Sequence, residues 1–164
     1  PPHWAGLKFF NVYGPNEYHK GSMISVALKN FNEIKKTGQA VLFRSHNPKF
    51  NNGGQKRDFV WVEDCANIAI WLSENPSAQG IFNVGTGEAR TFEDLARSVF
   101  KAMGRQADIG FIDTPENIRD RYQYFTQADM SALKNAGYNG TATTLENGVE
   151  RYVRDFLMNS DPYA

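Results

Sequence analysis

The chain has 164 residues, 41% of them apolar and 13% aromatic, enough for one globular domain with a sizeable core and too apolar for a disordered segment. Its 18 Lys and Arg are balanced by 18 Asp and Glu, so no overall field draws it to nucleic acid, and the basic trio Lys49, Lys56 and Arg57 is too short to track phosphates. No apolar run approaches the roughly 18 residues of a membrane span; with no leader and one cysteine, Cys65, the pattern is that expected of a soluble protein in a reducing, cytoplasmic compartment.

Residues 6–12 (GLKFFNV) form a short apolar run that stops at Gly14-Pro15, which predicts a buried strand. The connection that follows, YGPNEYHKGSM, carries far more hydrogen-bonding side chains than a plain turn needs. From Ser22 the apolar positions Ile24, Ala27, Leu28, Phe31 and Ile34 recur at helical spacing; Ser22 can cap the start, and Gly38 ends the pattern. Residues 40–43 and 57–62 read as strands, joined by SHNPKFNNGGQK, a loop long enough to be functional or mobile. Residues 63–72 are apolar nearly all round, which predicts a helix buried on several sides. IFNVG is a further buried strand. Thr91 with Asp94, Thr126 with Asp129 and Thr143 with Glu146 have capping-box spacing and each predicts a helix start. Gly104 and Gly137 supply two stops, and residues 158–164 read as a frayed end. Strands alternating with helices predict an α/β fold with some parallel pairing, and no internal repeat is present.

The short motifs exclude several chemistries. VGTGEAR lies between a strand and a helix, but the third glycine of a dinucleotide fingerprint is Arg90, so a tight turn carrying a loop over a ligand is the expectation. His3, His19 and His46 have no metal-ligand spacing, one thiol makes no zinc site, and no Ser-His-Asp order with an elbow glycine pattern occurs. No tyrosine is followed by a lysine four residues on.

KFFNVYGPNEYHKGSM, RDFVWVEDCANI, GIFNVGTGEARTFEDLA and RYQYFTQADMSALKNAGY together resemble the C-terminal half of an extended short-chain dehydrogenase/reductase of the NAD-dependent epimerase/dehydratase family, most closely the ADP-L-glycero-D-manno-heptose 6-epimerases. FNVYGP, RDFVWVED and IFNVGTG are shared by many nucleotide-sugar epimerases and dehydratases, whereas EYHKGSM and RYQYFTQAD resemble the heptose enzymes in particular. The resemblance implies the last strands of a Rossmann-type dinucleotide-binding sheet plus the small α/β substrate-binding domain, residues 1–164 being mainly the substrate-binding portion. Such enzymes carry a glycine-rich loop and a YxxxK pair upstream of FNVYGP. Neither is in this sequence, which therefore reads as about half of such an enzyme and is expected to be inactive alone.

The same resemblance implies a chemistry and a set of residues. In that family NADP (or NAD), held mostly by the upstream half, oxidises carbon six of an ADP-heptose and returns the hydride to the opposite face. Inversion then needs an acid/base group for each pose of the sugar. The upstream tyrosine serves one pose and Lys20 the other, provided burial or a neighbouring cation makes the ammonium easier to deprotonate. Asn11 and Ser22 are implied to touch substrate, and Val12, with Lys20, the nicotinamide end of the cofactor. Lys29 stands at a substrate contact where the family has a histidine. Phe43, Arg44, Ser45 and His46 are implied to wall the nucleotide, Phe43 stacking on adenine, with Arg57 on the diphosphate and Tyr122 beside it. The implied partners are an ADP-sugar and further copies of the chain, in the supply of heptose for lipopolysaccharide core. Two alternatives use the same residues: a nucleotide-sugar 4-epimerase or dehydratase with another nucleotide, and a non-catalytic nucleotide-sugar-binding module.

Overall fold

The structure, a computed structural model, describes residues 3–161 and Tyr163. In chain order its elements are β1 (Ala5–Phe9), β2 (Asn11–Tyr13), α1 (Val26–Thr37), β3 (Ala40–Phe43), β4 (Lys56–Trp61), α2 (Val62–Glu74), β5 (Gly80–Val84), β6 (Ala89–Thr91), α3 (Phe92–Ala102), β7 (Ile109–Ile112), α4 (Glu116–Arg119), α5 (Ser131–Asn135) and α6 (Leu145–Arg151). A 3-10 turn covers Tyr18–Met23 and a π segment Tyr152–Leu157. The fold is α/β, as the alternation predicts. Among the described residues, no helix is long and apolar enough to cross a membrane.

The predicted first strand is two strands. β1 runs parallel to β5, and β2 runs parallel to β4. The change of partner falls at Phe10, whose amide donates to the Val84 carbonyl at 3.0 Å while its own carbonyl accepts from the Val12 amide at 2.9 Å. A three-residue turn of this kind leaves no mark in an apolar run. β4 also pairs antiparallel with β6, and β3 pairs in parallel with β7. The short strands β6 and β7 were not predicted.

β4 divides the interior in two. Its alternation sends Phe59 and Trp61 into a first core with Tyr13, Leu28, Phe31, Val99 and Tyr152, and Val60 into a second with Ile68, Leu72, Phe82 and Leu133. The prediction that the helix at 63–72 is buried on several sides is corrected: α2 buries only Cys65, Ile68 and Leu72, one stripe, and Ile70 is 55% exposed.

Three predicted caps are corrected as well. α1 starts at Val26 and is capped by Ser25, whose Oγ accepts from the Leu28 amide at 3.2 Å; Ser22 lies in the 3-10 turn before it. α6 is capped by Thr144 rather than Thr143, because Thr143 is taken by Asp64, to which it donates from both its amide and its hydroxyl. No helix starts at Thr126, whose amide donates to the Lys56 carbonyl; α5 begins at Ser131. The Thr91–Asp94 capping box of α3 and the left-handed Gly38 that ends α1 stand as predicted. The loop at 45–56 is tied down by its own side chains: Asn52 accepts from the Ser45 amide at 2.9 Å and Asn47 from the Lys49 amide at 3.0 Å, while Tyr124 packs on Phe50. At the predicted frayed end, Tyr163 rests edge-on against Tyr18; Pro162 and Ala164 lie outside the described residues.

Candidate functional site

The VGTGEAR turn closes on the protein itself. Asp58, fully buried at the third position of β4, accepts from the Thr86 amide and hydroxyl (2.8 and 2.7 Å), the Gly87 amide (2.9 Å) and the Ala128 amide (3.0 Å). A Cβ on Gly85 would stand 2.5 Å from Ala128. The glycines therefore serve a tight, packed turn around a carboxylate, as expected, and the residues of that turn line a recess. That recess, of about 360 Å³ between α2, β6 and residues 140–145, holds none of the predicted residues; of its charged groups, Asp64 is engaged by Thr143 and Arg90 by Glu146 at 2.6 Å.

The predicted residues converge elsewhere. α1 and the end of β3 enclose a largely apolar cavity of about 250 Å³, closed on its other sides by Phe92 and Tyr122. Lys29 and Asn30 enter it from α1, Phe43 from the end of β3, and Gln55 from the residue before β4. Phe43 is fixed because its carbonyl accepts from the Gly53 amide at 3.2 Å and from Gln55 Nε2 at 3.3 Å. Its ring meets Tyr122 edge-on, with centroids 6.1 Å apart. Phe92, first residue of α3, is set by its amide donating to the Gln55 carbonyl at 3.1 Å.

Arg57 sits against the outer walls of this cavity. Its guanidinium carbon lies 5.6 Å from the ring centroids of both Phe92 and Tyr122, and Nη1 donates to the Lys56 carbonyl at 2.8 Å. Among the described residues no carboxylate pairs with it, whereas Arg90, its antiparallel neighbour across β4–β6, is held by Glu146 and Asp94. Burial lowers the pKa of Arg57 and raises that of Tyr122, each group opposing the shift of the other. A half-buried cation resting against two aromatic rings offers its remaining N–H groups to an anion.

Other predicted residues lie apart. Arg44 is exposed and pairs with Asp113 at 3.5 Å, Ser45 Oγ donates to the Asn47 carbonyl at 2.8 Å, and the His46 amide donates to the Tyr124 hydroxyl at 2.9 Å; of the four residues 43–46 only Phe43 lines the cavity. Asn11, Lys20 and Ser22 are exposed, and Val12 packs against the second core. The turn that carries Lys20 and Ser22 is anchored by Glu17, whose buried carboxylate accepts from the Ser25 amide, the Ser25 hydroxyl (2.6 Å) and the Tyr152 hydroxyl (2.9 Å). Gly21 breaks that turn at φ 55°, ψ −122°, a conformation open to glycine. Asn11 and Val12 stand where β1 leaves β5 and β2 joins β4, the kind of divergence at the carboxyl ends of strands where α/β sheets hold ligands. Sequence reasoning did not single out Asn30, Gln55 or Phe92. Asn30 left a signal, as an amide on the buried stripe of α1.

Residues 3–85 match the model of the NAD dependent epimerase/dehydratase family. The chain is 52% identical to the ADP-L-glycero-D-manno-heptose-6-epimerase of Nitratidesulfovibrio vulgaris over 97% of its own length and 49% of that relative's. It thus spans about half the length of the curated relatives it matches. The crystal structure of the Helicobacter pylori ADP-L-glycero-D-manno-heptose-6-epimerase superposes with a TM-score of 0.76 at 26% identity, over 93% of this chain and 44% of that one. A Thermus thermophilus UDP-glucose 4-epimerase in complex with NAD superposes with a TM-score of 0.69 at 26% identity, over 90% and 44% of the two chains.

Proposed function

The chain belongs to the NAD dependent epimerase/dehydratase family, and within it we propose that the chain is the substrate-holding portion of an ADP-glycero-manno-heptose 6-epimerase. The observation that carries this reading is Arg57, a half-buried cation without a carboxylate partner among the described residues, set against the rings that wall a largely apolar cavity. A nucleoside diphosphate suits such a pair of sites: the base enters the cavity beside Phe43 and Tyr122, and the diphosphate meets the guanidinium fork at its rim. Lys29 lines the same cavity from α1, with its exposed ammonium near the sugar-phosphate path. The identity with heptose epimerases favours ADP over other nucleotides.

Asn11, Val12 and Lys20 frame the second part of the site, at the divergence of β1 and β2. A nicotinamide cofactor bound there, NADP or NAD, supplies reversible hydride transfer at carbon six. Val12 would present a small apolar surface and close backbone to the cofactor, Asn11 would hydrogen-bond the sugar, and Lys20 would give or take the proton of the carbon-six oxygen in one sugar pose, the upstream tyrosine of such enzymes doing the converse in the other. Glu17 holds the Lys20 turn against α1. The product would feed lipopolysaccharide core in the cytoplasm, and the chain would work as a homo-oligomer.

Calorimetric titration of the chain with ADP, UDP and dTDP tests the reading. ADP is expected to bind in preference to the other two. Arg57→Ala should cost about 2 to 4 kcal/mol of binding, the scale of losing a charge-assisted pair in a partly dry site, while Lys20→Met should leave ADP affinity nearly intact. Equal binding of UDP and ADP, or indifference to Arg57→Ala, would rule this reading out.

A further inference from the structure

Asn30 is the least explained polar residue of the cavity wall. It lies on the buried stripe of α1 beside Ala27 and Phe31, is 3% exposed, and its amide nitrogen has no hydrogen-bond partner among the described residues. Buried polar groups are paired in nearly all native proteins, so an orphan of this kind calls for a reason. The neighbouring polar groups are engaged: Gln55 Nε2 donates to the Phe43 carbonyl at 3.3 Å, and Glu33 Oε2 accepts from the Val41 amide at 3.1 Å. An apolar residue would fill the position without that loss.

We propose that Asn30 reads the base of the bound nucleotide, its carboxamide pairing with the amino group and an adjacent ring nitrogen of adenine. The proposal rests on the ADP-sugar reading above and adds a residue that sets nucleotide preference. Phe43, Phe92 and Tyr122 give the cavity aromatic walls against which a heterocycle can pack. Arg57 lies on the outer side of Phe92 and Tyr122, so a diphosphate held there directs the base inward, toward α1. A carboxamide offers a donor and an acceptor in one plane. Adenine offers the matching pair on either edge, its amino group beside a ring nitrogen. The amide oxygen and nitrogen are nearly the same size, so rotation about the Cβ–Cγ bond of Asn30 can turn the nitrogen toward the ligand.

A thermodynamic cycle on the full chain tests this. One axis compares ADP with purine riboside 5′-diphosphate, which lacks only the amino group; the other compares the parent chain with Asn30→Leu. The parent is expected to prefer ADP by about tenfold, the worth of one well-made hydrogen bond in a dry site. Asn30→Leu should bring the ratio close to one by weakening ADP more than the analogue, with the urea midpoint unchanged or raised. If Asn30→Leu loses the fold, Asn30→Ala, which removes both the acceptor and the N–H, should show the same loss of preference. A parent that binds ADP through Arg57 yet keeps its amino-group preference after both replacements overturns the role of Asn30 and leaves the ADP site standing. A parent that binds no ADP overturns both. Equal weakening of UDP and ADP by Asn30→Leu overturns the assignment to adenine.

Discussion

β1–β5 and β3–β7 are each a pair of parallel strands of four or five residues, yet they finish differently. In β3–β7 the inward residues Ala40 and Leu42 join the first core beneath α1 and α3, and Val41 and Phe43 help to wall the candidate nucleotide cavity. In β1–β5 the inward residues Leu7, Phe82 and Val84 pack with α2 and α5, but Ile81 stands 71% exposed, with Trp4 and Phe9 also open. Parallel strands are usually covered on both faces. Strand pairing alone thus says little about what a strand pair does. The second layer decides, and here one pair walls a cavity while the other presents apolar surface.

The sharpest way to break this comparison is to make the same deletion in each core. Phe100, buried on α3, should cost about 3 to 5 kcal/mol when replaced by alanine, because helices close around it and the cavity cannot collapse. Phe82, buried on β5, sits in a strand pair with one open face and has room to relax, so Phe82→Ala should fall about 1 to 2 kcal/mol short of that. Urea denaturation measures both. Equal losses would mean that the two cores are equally closed and that the open face has no mechanical consequence.

What could be read from the sequence followed how local each signal was. The Thr91–Asp94 box and the Gly38 stop involve neighbours in the chain, and both are found. Ser22 and Thr143 failed as caps for tertiary reasons. Glu17 anchors Ser25, and Asp64, 79 residues from Thr143, takes Thr143 and leaves Thr144 to cap. β6, three residues long, is too short for its alternation to show, and β7, interrupted by Gly110 and half-buried along most of its length, shows none. For the site, the resemblance supplied Lys29, Phe43 and Tyr122, which one cavity gathers, and Arg57, which packs on its outer walls. Gln55 and Phe92 could not be found that way, since what places them is the hydrogen bond between them and the pairing of β4 with β6, which leads into α3.

A smaller effect follows from the open face itself. Ile81, Trp4 and Phe9 form an apolar surface beside a strand whose outer edge is unpaired among the described residues, which should drive the chain to associate with itself. Ile81→Lys should raise the dissociation constant about tenfold or more while changing stability by no more than about 0.5 kcal/mol, since the side chain is exposed in the free chain. Sedimentation velocity over a range of concentrations reads the first and thermal denaturation the second. A chain that stays monomeric at high concentration would remove the functional contrast between the two strand pairs.

The smallest expected effect concerns how the first core is closed. Arg90 on β6 donates to both carboxylate oxygens of Glu146 on α6, at 2.6 and 3.3 Å, and this pairing holds the Glu146 carboxyl below its ordinary 4.5. Among the described residues neither β1 nor β5 carries a comparable ion pair. A carboxyl whose pKa is depressed by folding contributes stability at pH values above 4.5, and that contribution fades as the pH falls through the depressed value. The Glu146 side chain is 45% exposed, so screening should keep the contribution below about 1 kcal/mol. Glu146→Gln should therefore be slightly less stable than the parent at pH 7, and the two urea midpoints should converge as the pH is lowered past 4.5, with added salt narrowing the gap at neutral pH. Midpoints that stay equally separated down to acid pH would show that Glu146 acts through packing on α6 and not through its charge, and the first core would then owe its closure to apolar contacts alone.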